Sequence, residues 1–198
     1  MYPKMRCEKA LFPAKPMVGI AFATGLVILA FLGGPMPGHG QGSGKMEITS
    51  ASFTSGGPIP SKFSCEGADL SPQLSWQKAP TTAKSFAIVM HDPDAPVDFT
   101  HWLVYNIPAG THGLAEGASG TGAMPAGSAE GTNHFGRLGY GGPCPPPGKV
   151  HHYIFRFYAL DTRLNLSPGV DRRQLEAAIE RHIVAEGQII GTYQRGSH

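Results

Sequence analysis

Apolar residues recur along this chain in blocks of strand length, and a helical period emerges only near the carboxy end. Met46–Phe53 alternates in part between apolar and polar positions, which predicts an opening strand that ends before Ser55-Gly-Gly-Pro-Ile-Pro60. Ser71-Pro72-Gln-Leu-Ser-Trp76 predicts a short strand leaving a proline turn. Ser85–His91 is apolar almost without interruption, the pattern of a strand buried on both faces. Trp102–Ile107 predicts the next strand, stopped by Pro108. Gly110 to Gly148 is mostly turn-forming and predicts a long surface excursion, a kind of loop that is usually functional or mobile. Val150–Leu160 returns as a long strand.

Beyond it, Asp171 followed by Gln174 forms a capping box, and Leu175, Ala178, Ile179, His182 and Ile183 fall on one helical face, with Gly187 as the stop. Gln188–Tyr193 reads as a last strand or an irregular tail. Strands first and a helix late predict an all-β or β-dominated α+β domain. Composition agrees: 27 glycines, 18 prolines and only 15% charged residues suit short strands and turns better than a helical bundle.

The amino end has another character. Lys4, Arg6, Lys9 and Lys15 precede the uncharged run Met17–Leu32, and a Gly-rich stretch follows. A basic segment ahead of such a run reads as an export signal or membrane anchor over residues 1–34, with a linker over 35–45 and a single domain over 46–198. This reading places the protein outside the cytoplasm, periplasmic or secreted, or tethered by an uncleaved amino-terminal segment. It also explains the basic pI. Without residues 1–44 the chain holds 12 cations and 13 acids, so no basic surface for nucleic acid is expected. Export makes Cys65 and Cys144 candidates for one disulfide in an oxidising compartment, the other reading being two half-buried thiols. No Cys-x-x-Cys occurs, and neither a phosphate-binding loop nor a nucleophile elbow follows a strand.

The candidate chemistry gathers around Asp92-Pro-Asp-Ala-Pro96. Two prolines stiffen an acidic bend at the end of the buried strand. A carboxylate leaving such a strand needs an inward partner, and His101 is the natural one. Period-two geometry puts His151 and Tyr153 on one face and His152 on the other. Imidazoles and a phenol aimed at one space suit an oxyanion such as phosphate, sulfate or carboxylate, with Asp92 fixing the tautomer of one imidazole. A zinc site drawn from His101, His151 and Asp92 is weaker, because its ligands are scattered.

These motifs, with His101-Trp102, Asn106-Ile-Pro108, Gly139-Tyr-Gly-Gly-Pro143 and Ile190-Gly-Thr-Tyr193, resemble the phosphatidylethanolamine-binding protein family. The nearest branch is the prokaryotic Raf-kinase-inhibitor-like one, known as YbhB/YbcL. The resemblance covers about residues 46–195. It implies two antiparallel sheets packed together with a peripheral carboxy-terminal helix. It also implies a small anion cavity lined by Asp92, His101, His151 and Tyr153 and rimmed by Pro96, Gly142 and Pro143. Eukaryotic members bind phospholipid head groups and inhibit kinases or serine proteases. This chain departs from the common pattern at His91 and His152, both expected to add imidazoles near the cavity.

Together these readings predict an exported, non-enzymatic protein that binds a small anion or phospholipid head group, with protonated His101 and His151 as donors. No catalytic residue, metal or cofactor is expected. Inhibition of a serine protease or kinase through surface loops is the alternative, and a metal-dependent hydrolase the third. A homodimer is a further candidate assembly.

Overall fold

The computed structural model describes residues 44–196, so the amino-terminal segment read as an export signal or anchor lies outside the described residues. Within them, nine strands and one α-helix follow in order: β1 (Gly44–Lys45), β2 (Glu47–Thr49), β3 (Leu74–Gln77), β4 (Ser85–Asp92), β5 (Phe99–Pro108), β6 (Gly113–Leu114), β7 (Ala129–Glu130), β8 (Val150–Leu160), α1 (Arg172–Ile179) and β9 (Ile183–Gln194). A six-stranded sheet runs β1-β9-β8-β4-β5-β7 and a three-stranded sheet runs β2-β3-β6. All pairings between these strands are antiparallel except β1 with β9. The described residues are mostly strands in two sheets with one α-helix near the carboxy end.

β4 is buried along its whole length because it separates two apolar layers. Phe86, Ile88 and Met90 face the small sheet, where they join Leu74, Trp76, Phe155 and Phe157 in the main core. Ala87 and Val89 face the other way, against a second cluster that includes Leu175 and Ile179 of α1. The uninterrupted apolar run thus encodes both faces at once.

Three sequence expectations need correction. The helix is only eight residues long, and Ile183 belongs to β9, not to the helical face. The capping box forms as expected, with the Gln174 amide donating to the Asp171 carboxylate at 2.8 Å. Gly187 does not stop a helix. It sits within β9, where a Cβ would come 2.6 Å from the Met46 carbonyl oxygen, so a side chain would push away the strand packed on it. The segment from Gly110 to Gly148 is not simply a surface excursion. It contributes β6 and β7, and Gly139 to Pro143 are all buried. Tyr140 secures that stretch by donating its hydroxyl hydrogen to the Phe63 carbonyl at 2.7 Å.

Candidate functional site

The alternation of each strand decides which side chains meet. Asp92 continues the face of Phe86, Ile88 and Met90, and His151 and Tyr153 continue the face of Phe155 and Phe157. His101 should point away from them, since Leu103 and Tyr105 lie in the second core cluster. A β-bulge changes this. Met90 pairs with Trp102 and His91 with Thr100, which leaves His101 as the extra residue on β5. Its ring lies 5.1 Å from that of Tyr153, on the cavity side.

The result is a cavity of about 180 Å³ lined by Asp92, Ala95, Pro96, Phe99, His101, Phe135, Cys144, Pro145, Pro146, His151 and Tyr153. Of the residues expected there, Gly142 and Pro143 are absent from the wall. They form the layer behind it. The Gly142 amide donates to Asp69 at 2.7 Å, and the Pro143 carbonyl accepts from the Cys65 amide at 3.1 Å. A Cβ on Gly142 would stand 2.2 Å from the Phe63 carbonyl oxygen, so glycine is required for that close approach. Cys65 and Cys144 are disulfide-bonded, with Cα atoms 5.4 Å apart. Sequence reasoning missed Phe99, Phe135, Pro145 and Pro146 as wall residues. The run Pro143-Cys-Pro-Pro-Pro147 was the available signal, a stiff segment beside a cysteine.

The inward partner of Asp92 is His151, not His101. His151 Nδ1 lies 2.7 Å from Asp92 Oδ2, and both residues are buried. Asp92 Oδ1 accepts the amides of Asp94 at 2.9 Å and Ala95 at 3.2 Å, so one carboxylate holds the turn and the imidazole together. His101 Nδ1 lies 2.6 Å from the Gly141 carbonyl, and the Gly141 amide returns a bond to the His101 carbonyl at 3.0 Å. A carbonyl only accepts, so His101 carries its hydrogen on Nδ1. Burial lowers the His101 pKa, a shift that its contacts with Gly141 and the nearby Asp92 charge only partly oppose. His101 is therefore a neutral imidazole at neutral pH, not the protonated donor expected. Burial and then the Asp92 carboxylate raise the Tyr153 pKa far above that of a free phenol, which keeps its hydroxyl protonated. That hydroxyl is buried near the Asp92 carboxylate, and no protein acceptor among the described residues meets it in full hydrogen-bond geometry.

His91 and His152 do not enlarge this imidazole set. Each alternates to the other face of its strand. His91 Nδ1 meets Asp98 at 2.5 Å, with Arg172 on the same carboxylate at 2.9 Å. His152 Nδ1 is 2.8 Å from Asp94, and this hydrogen bond, with one from the His152 amide, lowers the Asp94 pKa. Among the described residues no group of three or more His, Cys, Asp or Glu is arranged to hold a metal. A wider groove of about 620 Å³ along β1, β8 and β9 has only exposed charges, Lys45, Arg156 and Glu186, and Tyr158 is the buried polar side chain in its lining.

The buried histidines carry a stability signature. Burial lowers the pKa of both His91 and His101 below the ordinary value of 6.5. Above that value folded and unfolded chains both hold neutral imidazoles. As pH falls below it, the unfolded chain takes up protons that the folded one resists, so stability declines until the folded histidines protonate too. For His91 the reason is local, because its Nε2 is buried without a partner and a hydrogen there would be an unsatisfied donor. The melting temperature should therefore fall between about pH 7.5 and 5.5, and His91→Gln should flatten the decline. A wild-type melting temperature constant over that window would contradict the assignment.

Two packed sheets closing one small, part-polar cavity at a strand end define a β-sheet binding protein. The profile described as phosphatidylethanolamine-binding protein matches residues 49–194. The chain belongs to the phosphatidylethanolamine-binding protein family. A UPF0098 protein from Methanothermobacter thermautotrophicus is 47% identical over 152 residues, covering 76% of this chain and all of that one. One from Pyrococcus horikoshii is 44% identical over 186 residues, covering 91% and 90% of the two chains. Among solved structures, Escherichia coli YbcL, described as a member of the mammalian family, superposes with a TM-score of 0.72 at 33% identity, covering 76% of this chain and 99% of its own. A family homologue from Chlamydia trachomatis gives 0.69 at 38% identity, covering 77% and 99%.

Proposed function

We propose that this protein is exported and binds one small oxyanion in the cavity without transforming it. Inorganic phosphate, the phosphate of a lipid head group and a carboxylate are the candidate ligands. The observation that carries this reading is the Tyr153 hydroxyl, buried in the cavity wall, protonated and met by no acceptor in full hydrogen-bond geometry among the described residues. Buried polar groups find partners, and a cavity hydroxyl without one is waiting for a ligand or a water molecule. His151 supplies the second donor. With Nδ1 held by Asp92, its other ring nitrogen is left for the cavity, and the doubly protonated ring donates from Nε2. The two wall residues best suited to act as nucleophiles are both engaged: Asp92 in three hydrogen bonds and Cys144 in a disulfide. That disulfide supports export, since such bonds persist chiefly in oxidising compartments.

Tyr153→Phe separates binding from folding. Removing a hydroxyl that no protein acceptor meets in full hydrogen-bond geometry should leave the melting temperature nearly unchanged, while phosphate affinity drops by about tenfold in calorimetric titration. Unchanged affinity would sink the reading. Inhibition of a serine protease or kinase is the second reading, favoured by Phe135 and Leu138, which expose 43% and 59% of their surface on the segment before Gly139. Inhibition that survives Tyr153→Phe would assign it to that surface and not to the cavity.

A further inference from the structure

Resting on the oxyanion reading, we propose that the cavity selects an anion that still carries a hydrogen, inorganic phosphate or a protonated phosphomonoester, over anions that can only accept, and that His101 makes the choice. Each polar wall group has a fixed offer to make. Tyr153 Oη is a donor, and His151 Nε2 is one when the ring holds both hydrogens beside the Asp92 carboxylate. His101 has committed Nδ1–H to the Gly141 carbonyl, and the returning Gly141 amide fixes the ring's backbone in place. Its Nε2 edge is left for the cavity it lines, and in the neutral ring that nitrogen is an acceptor.

The surroundings of His101 do not recruit a second proton to it. The rings of Phe99, Tyr153 and Phe135 surround it at 5.0, 5.1 and 5.5 Å. The two acids whose charges reach it are engaged elsewhere. Asp92 holds His151 and two backbone amides. Asp69 holds the Gly142 amide and Arg137, the latter at 2.6 Å. With both hydrogens on His151, the cavity therefore offers two donors and one acceptor within a space of about 180 Å³.

Sulfate has four acceptor oxygens and no hydrogen at neutral pH. To reach both donors it sets an oxygen against the His101 lone pair, or forces a proton onto a ring whose burial resists it. Phosphate has nearly the same shape but keeps at least one hydrogen, which it donates to Nε2. A phosphomonoester does so below its second pKa of about 6. A phosphodiester, the form found in phospholipid head groups, has lost its last hydrogen and falls with sulfate. Because the shapes match, discrimination comes from the hydrogen bond and not from size.

Calorimetric titration of the full chain with phosphate, sulfate and glycerophosphoethanolamine, at constant ionic strength near about pH 7, tests this. Phosphate should bind at least about tenfold tighter than either of the others. In His101→Gln the amide can turn an N–H into the cavity, so sulfate should gain and the gap should close to about threefold or less. Sulfate or the diester binding as tightly as phosphate to the wild type overturns the selection and leaves the oxyanion reading intact. Binding of none of the three overturns both. If His101→Gln does not fold, nitrogen-15 NMR of the wild-type imidazoles with phosphate bound decides the role of His101 directly. A bare Nε2 on His101 supports the assignment, and a hydrogen there overturns it.

Discussion

Loss of the Cys65–Cys144 bridge, by reduction or by a double Cys→Ala substitution, is expected to lower the unfolding free energy by about 4 kcal/mol. The two cysteines stand 79 positions apart, so the bond closes a long loop in the unfolded chain and removes much of its freedom. Most of the native contact at this point does not depend on the bond. The Cys65 amide still donates to Pro143, Tyr140 still reaches the Phe63 carbonyl, and Gly142 still leans on Asp69. The reduced protein should therefore keep its fold in dilute buffer while its urea midpoint shifts sharply downward. Anion affinity should change less, because only one wall residue, Cys144, loses its tether. Equilibrium urea unfolding with and without reductant measures the first effect and phosphate titration the second. An unchanged midpoint would show that the two cysteines are not joined in the folded protein.

How far the sequence could be read depended on whether the information was periodic. β4 and β8 were legible at nearly full length because alternation and burial speak with one voice there. The pairing of His151 with Tyr153 on one face followed from the same rule, and it correctly sent His152 to the other. Applied to His91, that rule would also have removed it from the cavity, since His91 shares the parity of Ala87 and Val89. His101 was harder. Its place depends on a bulge between β4 and β5, and an extra residue in one strand leaves no mark in a pattern of apolar positions. The helix was overextended for a related reason. His182 and Ile183 continue its apolar face, but the His182 amide bonds back to Ile179 and the chain then pairs into the sheet. Tertiary pairing decided that boundary, and no local preference could. The partner of Asp92 was misread because nearness in sequence favoured His101, whereas strand β8 lies beside β4 and delivers His151.

Replacing Asp92 should produce two distinct outcomes, according to which of its oxygens the substitute preserves. Asp92→Ala removes the acceptor for the buried His151 Nδ1–H and for the amides of Asp94 and Ala95. The two amides border solvent and can turn to water, but the imidazole hydrogen is left buried. A loss of about 3 kcal/mol is expected, with anion binding abolished as His151 loses its orientation. Asp92→Asn keeps an oxygen on the two amides, so its nitrogen faces His151. That nitrogen only donates, so His151 Nδ1 must accept and the ring hydrogen moves to Nε2. The variant therefore still offers an Nε2–H to the cavity, but from a neutral ring. Its stability should lie within about 1 kcal/mol of wild type, with phosphate affinity reduced by about tenfold. The pH response should change as well. In the wild type, donation from Nε2 requires the ring to hold both hydrogens beside the carboxylate, so binding takes up a proton and affinity falls as pH rises. In Asp92→Asn the neutral ring is already the donor, and this component of the pH dependence disappears. Phosphate's own titration is common to both proteins, so the difference between their profiles isolates the imidazole. Parallel profiles for wild type and Asp92→Asn would show that Asp92 positions the turn alone and does not set the charge state of His151.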